Sequence, residues 1–162
     1  MPLIDRGEAD IQHVMERVAR VPHLFQWEFY PSINALQEYR TLALRRFQDD
    51  YERGFEEQRY INAKLPRLPF EDCRFDLVLS GHFLFTYSDR FDYAFHRAAV
   101  LELVRVSAKE VRIYPLQGPD AQPYQYMDTL LSDLRQQGIV AEICQVPFEF
   151  QRGSNRMLRV IR

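Results

Sequence analysis

The chain has 162 residues, 46% of them hydrophobic, with 21 basic against 23 acidic side chains, a net charge of −2 and a pI near 6.1. A chain of this length can bury roughly 68–70% of its unfolded surface in one domain, so a sizeable core is available. The balanced charge argues against nucleic acid as a partner, and no stretch approaches the roughly 18 consecutive apolar residues of a membrane span.

The first residues, MPLIDRGEADIQ, contain no basic segment leading into an apolar run. Asp5 and Glu8 have capping-box spacing, and Ile11, Val14, Val18 and Val21 then recur at three- and four-residue steps. A helix starting near Asp5 is expected, stopped by Pro22. A second helix is expected over Ser32 to Phe55, with Leu36, Tyr39, Ala43, Phe47, Tyr51 and Phe55 along one side. The run from Arg45 to Arg59 alternates in sign, which reads as a solvated helix face rather than a binding surface.

Three β-rich runs follow, Tyr60 to Leu65, Phe75 to Ser80 and Val111 to Leu116. The two cysteines, Cys73 and Cys144, lack the spacing of a metal knuckle or a redox pair, so free thiols in a cytoplasmic protein are expected. Between the second and third runs, Phe95, Ala99, Leu103 and Val106 mark a helix starting near Asp92. The order strand, helix, strand implies a crossover and a parallel pair. A further helix is expected to open at Pro123, bury Met127, Leu130, Leu131 and Leu134, and end at Gly138 in a left-handed conformation. Val140 to Val146 and Met157 to Ile161 have no helix between them, as in an antiparallel hairpin.

These elements amount to one α/β domain over residues 1–162, in which a helical region at 1–59 precedes a mostly parallel sheet with an antiparallel tail at 60–162. Ligands in open α/β sheets sit beyond the carboxyl ends of the strands. That places Lys64, Leu65, Ser80, Gly81, His82, Phe83 and Tyr114 where a site would form. His82 could serve as a base or a contact, or be an ordinary hydrogen-bonded residue at a strand end beside packed Phe83 and Phe85. His96 lies inside a helix, and His13 and His23 read as surface or packing residues. No pair of histidines and acids has ligand spacing, so no metal site is expected. The stretch from Pro147 to Asn155 is either a wide hairpin closed by Gly153 and Asn155 or a substrate-side lip bearing Glu149, Arg152 and Asn155.

The run Leu68-Pro69-Phe70-Glu71-Asp72-Cys73-Arg74-Phe75-Asp76-Leu77-Val78-Leu79-Ser80, followed by Gly81-His82-Phe83-Leu84-Phe85, resembles the segment of class I S-adenosylmethionine-dependent methyltransferases, of the type 11 kind, around their fourth strand. His96 to Val106 looks like the family's next helix, Val111 to Pro115 like its fifth strand, and the terminal hairpin like its sixth and seventh strands. The resemblance covers Tyr60 to Arg162 and, more loosely, the helices before it. It implies an incomplete Rossmann-like methyltransferase sheet with S-adenosylmethionine as the cofactor. Leu65, Ser80, His82 and Phe83 would then lie on the cofactor side, Tyr114, Glu149, Arg152 and Asn155 on the substrate side, and His82 would be the catalytic candidate.

Two departures stand out. The family's glycine-rich turn after its first strand and the acid ending its second have no counterpart, since no two of the six glycines fall within one loop. Lys64 stands where many relatives place an acid that binds the adenine amino group, a hydrogen bond lysine cannot accept. The expected function is therefore that of a methyltransferase-family polypeptide, truncated or one part of a split enzyme and inactive alone, whose partner is the missing amino-terminal portion or a second copy. The alternative is a non-catalytic interaction or scaffold module derived from that fold, with strands three and four pairing directly.

Overall fold

A computed structural model describes residues 2–162, with side chains described from Asp5 onward. The chain divides into two compact units, one reaching Asn62 and the other Ala63–Arg162.

The first unit pairs helix α1 (Pro2–Arg20) with helix α2 (Ile33–Glu56). Asp5 is not the N-cap of α1: the helix already runs from Pro2, whose fixed φ suits a first turn, and Asp5 lies in that turn near the positive end of the dipole. Met15 and Val18 are buried and Ile11, Val14 and Val21 half-buried, before Pro22 opens a short 3-10 turn.

At the start of α2, which the sequence placed near Ser32, Ser32 Oγ accepts the amide of Ala35 at 3.1 Å. The buried face of α2 differs from the expected one. Leu36 and Gly54 are buried and Leu44, Phe47 and Tyr51 half-buried, whereas Tyr39, Ala43 and Phe55 are exposed. Leu36 and Gly54 are separated by five turns at about 3.6 residues each, while the expected series advances faster and drifts off that face. The partner helix fixes the choice, since a Cβ on Gly7 of α1 would lie 2.6 Å from Leu44 Cδ1.

No strand forms over Tyr60 to Leu65. After α2, Gln58 takes a φ of 58° and the amides of Arg59 and Tyr60 both return to the Gly54 carbonyl, at 2.7 and 3.2 Å. The Tyr60 ring then lies where a Gly54 Cβ would stand, and its hydroxyl donates to Asp50 at 2.9 Å. Asp50 also accepts from Arg59 and Arg53, which hold its carboxyl well below the usual carboxylate range. The charge run is thus paired within its own surface. Further on, Lys64 makes only an isolated bridge with Arg67, whose amide bonds the Lys64 carbonyl at 3.1 Å across Leu65 and Pro66. A chain folded back at one end and turned at the other has no extended stretch left to pair.

The second unit is an α/β sheet of four strands, β1 (Phe75–Gly81), β2 (Ser107–Tyr114), β3 (Val140–Gln145) and β4 (Arg156–Ile161), in the order β1-β2-β4-β3. Helix α3 (Tyr93–Val106) connects β1 to β2, which pair in parallel, and helix α4 (Met127–Gln136) precedes the β3–β4 hairpin. The sheet is mixed rather than mostly parallel, because β4 inserts between β2 and β3 and runs antiparallel to both. The outer edge of β1 carries no described strand, so the expected direct pairing of the Tyr60–Leu65 run with the Phe75 strand does not occur.

Asp92 caps α3 by accepting the Phe95 amide at 2.8 Å, and Gly138 has a φ of 74°. Helix α4 begins at Met127 instead of Pro123, because the preceding residues are used in a turn. Gly118 and Gln122 bond at 2.9 Å, Tyr124 returns its amide to the Leu116 carbonyl at 2.9 Å, and its ring is buried.

Both helices cover the same face of the sheet. Val100 and Leu103 of α3 and Leu130 and Leu134 of α4 share one core cluster with Val111, Ile113, Leu158 and Val160 of the strands. Alternation sends the intervening residues to the other face. There Glu110 is bonded by Arg112 and by Arg159 at 3.1 Å, and Arg159 reaches Glu142 at 2.9 Å. This ladder crosses three strands, and its arginines, Arg159 first, pull the Glu110 carboxyl down to about 2.

The Leu68 to Cys73 turn is clipped to α3 by a fork. Glu102 accepts the Leu68 amide at 2.7 Å, and Arg105 binds both oxygens of Glu102 while donating to the Leu68 and Phe70 carbonyls and to Asp72. Arg105 holds the Glu102 carboxyl below its ordinary value. Both carboxylates therefore favour the folded state above the ordinary carboxylate range, and that contribution is lost as pH falls through their lowered folded values. The urea midpoint should drop between about pH 5 and pH 2, and R159Q should show a shallower drop in the same titration.

Candidate functional site

The carboxyl ends of β1 and β2 meet at one place. His82 follows β1 with a φ of 52°, a left-handed conformation unusual for a side chain of this kind. Its amide donates to the Tyr114 carbonyl at 2.7 Å, which continues the β1–β2 ladder one residue beyond the strand. The exposed His82 ring stands edge-on to the Tyr114 ring, with centroids 5.3 Å apart.

Tyr114 ends β2, and its hydroxyl lies 3.2 Å from Ser154 Oγ and 3.4 Å from the Phe148 carbonyl. Burial raises its pKa, the Ser154 hydrogen bond opposing the shift. Gln117, only 4% exposed, donates to the Arg152 carbonyl at 3.4 Å, and Ser154 is 3% exposed. Glu149 accepts the Gly153 amide at 2.8 Å, and Gly153 has a φ of 83° with room for a Cβ only at 3.4 Å from Gln117 Oε1. The Asn155 carbonyl accepts the Val146 amide at 2.9 Å and closes the loop.

The loop is therefore a wide hairpin closed at Gly153 and Asn155, and its inner side is clamped to the end of β2 through Tyr114 and Gln117. His82 and Tyr114 are brought together, Ser80 stands beside Ile113 in the ladder two residues before His82, and Glu149, Arg152 and Asn155 belong to the clamped loop. Leu65 does not belong to this group: without a strand before it, it sits in the turn and packs on the core. Phe83 is no pocket wall either. It is exposed, with its ring 6.0 Å from Tyr87 and 6.2 Å from Phe91, while Phe85 alone of the pair enters the core.

Three residues outside the sequence-derived set shape the site. Ser154 and Gln117 form its polar floor; both are small signals, one inside the flagged loop and one just past the strand end. His96 is fully buried, with Nδ1 2.7 Å from the Asp92 carbonyl and Nε2 3.0 Å from that of Leu84, and it stacks on Phe85 at 5.7 Å. It ties the segment after His82 to the start of α3.

This group can orient a polar molecule against His82 and Tyr114, but it does not by itself fit S-adenosylmethionine. Two of the four expected cofactor-side residues, Leu65 and Phe83, point to other tasks, and the glycine-rich turn and ribose-binding acid are not in the sequence. Among the described residues no group of three potential metal ligands forms, and no helix is long and apolar enough to cross a membrane.

The chain is 29% identical over 138 residues to an uncharacterized protein of Methanocaldococcus jannaschii. The match covers 85% of this chain and 59% of the relative, so the chain spans less than two thirds of that protein's length. No family model matches the sequence. No solved structure matches it.

Proposed function

We propose that this chain is the acceptor-side part of an S-adenosylmethionine-dependent methyltransferase-family protein, inactive without a cofactor-binding portion. The observation that supports it is the sheet: a parallel strand–helix–strand pair, a second helix, and a closing hairpin whose last strand runs antiparallel. That is the order the resemblance implies for the later part of a Rossmann-like methyltransferase sheet. The site lies at the carboxyl ends of β1 and β2, where ligands of open α/β sheets sit.

In this reading S-adenosylmethionine, held by a cofactor-binding portion, would supply an activated methyl group. The residues of this chain orient the acceptor: Tyr114 and the clamped loop with Glu149 and Arg152 form the substrate side, and His82 is placed to take a proton. The bond from its amide to the Tyr114 carbonyl holds the His82 backbone at the end of β1.

Calorimetric titration of the 162-residue chain with S-adenosylmethionine is expected to give no heat. The full-length Methanocaldococcus jannaschii relative is expected to bind it in the micromolar range and to gain thermal stability as the ligand rises above its Kd. Absence of binding by the longer protein would overturn the assignment.

A second reading, a non-catalytic interaction module on the same fold, is favoured by the ion ladder on the helix-free face of the sheet, which gives that face a self-paired polar surface. Micromolar binding by the isolated chain would reject it.

A further inference from the structure

Both nitrogens of the buried His96 ring face groups that can only accept a hydrogen bond. Nδ1 lies 2.7 Å from the Asp92 carbonyl, one turn back in α3, and Nε2 lies 3.0 Å from the Leu84 carbonyl, in the segment that follows His82. A neutral imidazole has one N–H and one lone pair, so one of these contacts sets a lone pair against an oxygen. Only the imidazolium donates to both. Turning the ring over does not help, because it faces both carbonyls with C–H groups.

We infer that His96 is a proton-operated latch on the segment Leu84–Ser88. Protonated on both nitrogens, the ring ties that segment to α3; with one proton lost to solvent, the tie to Leu84 is released. The Asp92 bond is the one kept. It is the shorter of the two and closes within the helix, where the His96 amide reaches the same carbonyl at 3.2 Å. The Leu84 bond joins residues twelve apart in the chain and carries the change.

The surroundings suit two charge states. Phe85 stacks on the ring with planes 7° apart and centroids 5.7 Å apart, and Tyr124 lies at 4.8 Å, both within the range at which an aromatic face attracts a cation. Phe91 and Phe95 stand edge-on at 6.4 and 5.9 Å. Of the titratable groups on these elements, the exposed Asp92 carboxylate is engaged by the Phe95 amide at 2.8 Å. The Tyr124 hydroxyl is buried, and burial pushes its pKa up to about 12, so it stays neutral. Tyr93 and Arg97 are turned to Asp133, Arg90 lies over the Tyr87 ring, and Asp89 is exposed. Burial and the positive end of α3 resist a charge on His96, while two acceptors and two ring faces favour it.

Hydrogen exchange on the 162-residue chain from about pH 5 to pH 8, each rate divided by the intrinsic rate at that pH, tests the latch. The Tyr87 and Ser88 amides bond the Phe83 and Phe85 carbonyls at 3.3 and 3.1 Å. Their protection is expected to fall roughly tenfold as pH rises, the worth of one hydrogen bond. Protection of the Ile139 amide, bonded to Leu134 at the far end of α4, should stay constant. Nitrogen NMR of the His96 ring should show both nitrogens protonated on the acid side and Nδ1–H alone on the basic side. His96→Gln, whose amide keeps its protons at every pH, should lose the pH dependence although His82 remains. A His96 ring whose protonation stays the same over that range overturns the inference, whether or not the glutamine variant folds. So does a fall in protection that reaches Ile139 equally or persists in His96→Gln.

Discussion

Replacing His96 with alanine is expected to destabilise the Ala63–Arg162 unit by about 3–5 kcal/mol, the range for losing a buried aromatic ring. The ring is fully enclosed, stacked on Phe85 and 4.8 Å from Tyr124, so its removal leaves a cavity against the core. Its two nitrogens face the Asp92 and Leu84 carbonyls at 2.7 and 3.0 Å, and a neutral imidazole donates to one of them, so the substitution also strips a donor from one carbonyl, at about 1–3 kcal/mol if it is left without a partner. For a unit of this size the melting temperature should fall by roughly 15 °C or more. His96→Gln restores one hydrogen bond and should recover part of the loss. Exchange of the amides from Leu84 to Ser88 should accelerate in the alanine variant, because the anchor between that segment and α3 is gone. Unchanged exchange there would show that the loop after β1 is held by other means.

Leu158→Ala is expected to cost about 2–5 kcal/mol, toward the upper end. Leu158 is fully buried on β4, which has β2 on one side and β3 on the other, so neighbouring backbone has little freedom to close the void. Leu79→Ala is the matched control. At 68% exposure it loses little transfer energy, and in dilute solution the change should stay within about 0.5 kcal/mol. Chemical denaturation of the two variants side by side separates core packing from a general leucine effect; equal losses would contradict the burial pattern.

Local signals in the sequence carried the elements that are capped or punctuated by one residue. Ser32, Asp92 and Gly138 each perform the backbone task their type predicts. Signals failed where a distant partner decides. The face of α2 is chosen by Gly7 and Leu44, which no periodicity within α2 records. Tyr60 has strand propensity yet folds over Gly54, because a hydrogen bond to Asp50 and a glycine that leaves room for the ring outweigh it. The start of α4 was set too early because Pro123 suits a turn as well as a helix opening.

The site was legible in part for the same reason. His82 and Tyr114 stand at strand ends, which chain order alone locates. Leu65 and Phe83 were placed by a strand that does not form and by an aromatic whose direction depends on the left-handed turn before it. Ser154 and Gln117 are ordinary polar residues until the hairpin folds against β2, so their burial is a property of tertiary structure alone.

The position of β4 has a kinetic consequence. It comes last of the four strands in chain order yet fills the gap between β2 and β3, so an intermediate can assemble β1, α3 and β2 from near neighbours while β3 still has nothing to pair with. Joining Arg156–Ile161 to Ser107–Tyr114 demands closure of a long loop, which slows folding relative to the local steps. Until that happens both flanks of the β1–β2 ribbon are bare, and this transient species is the one most exposed to clumping during synthesis or refolding.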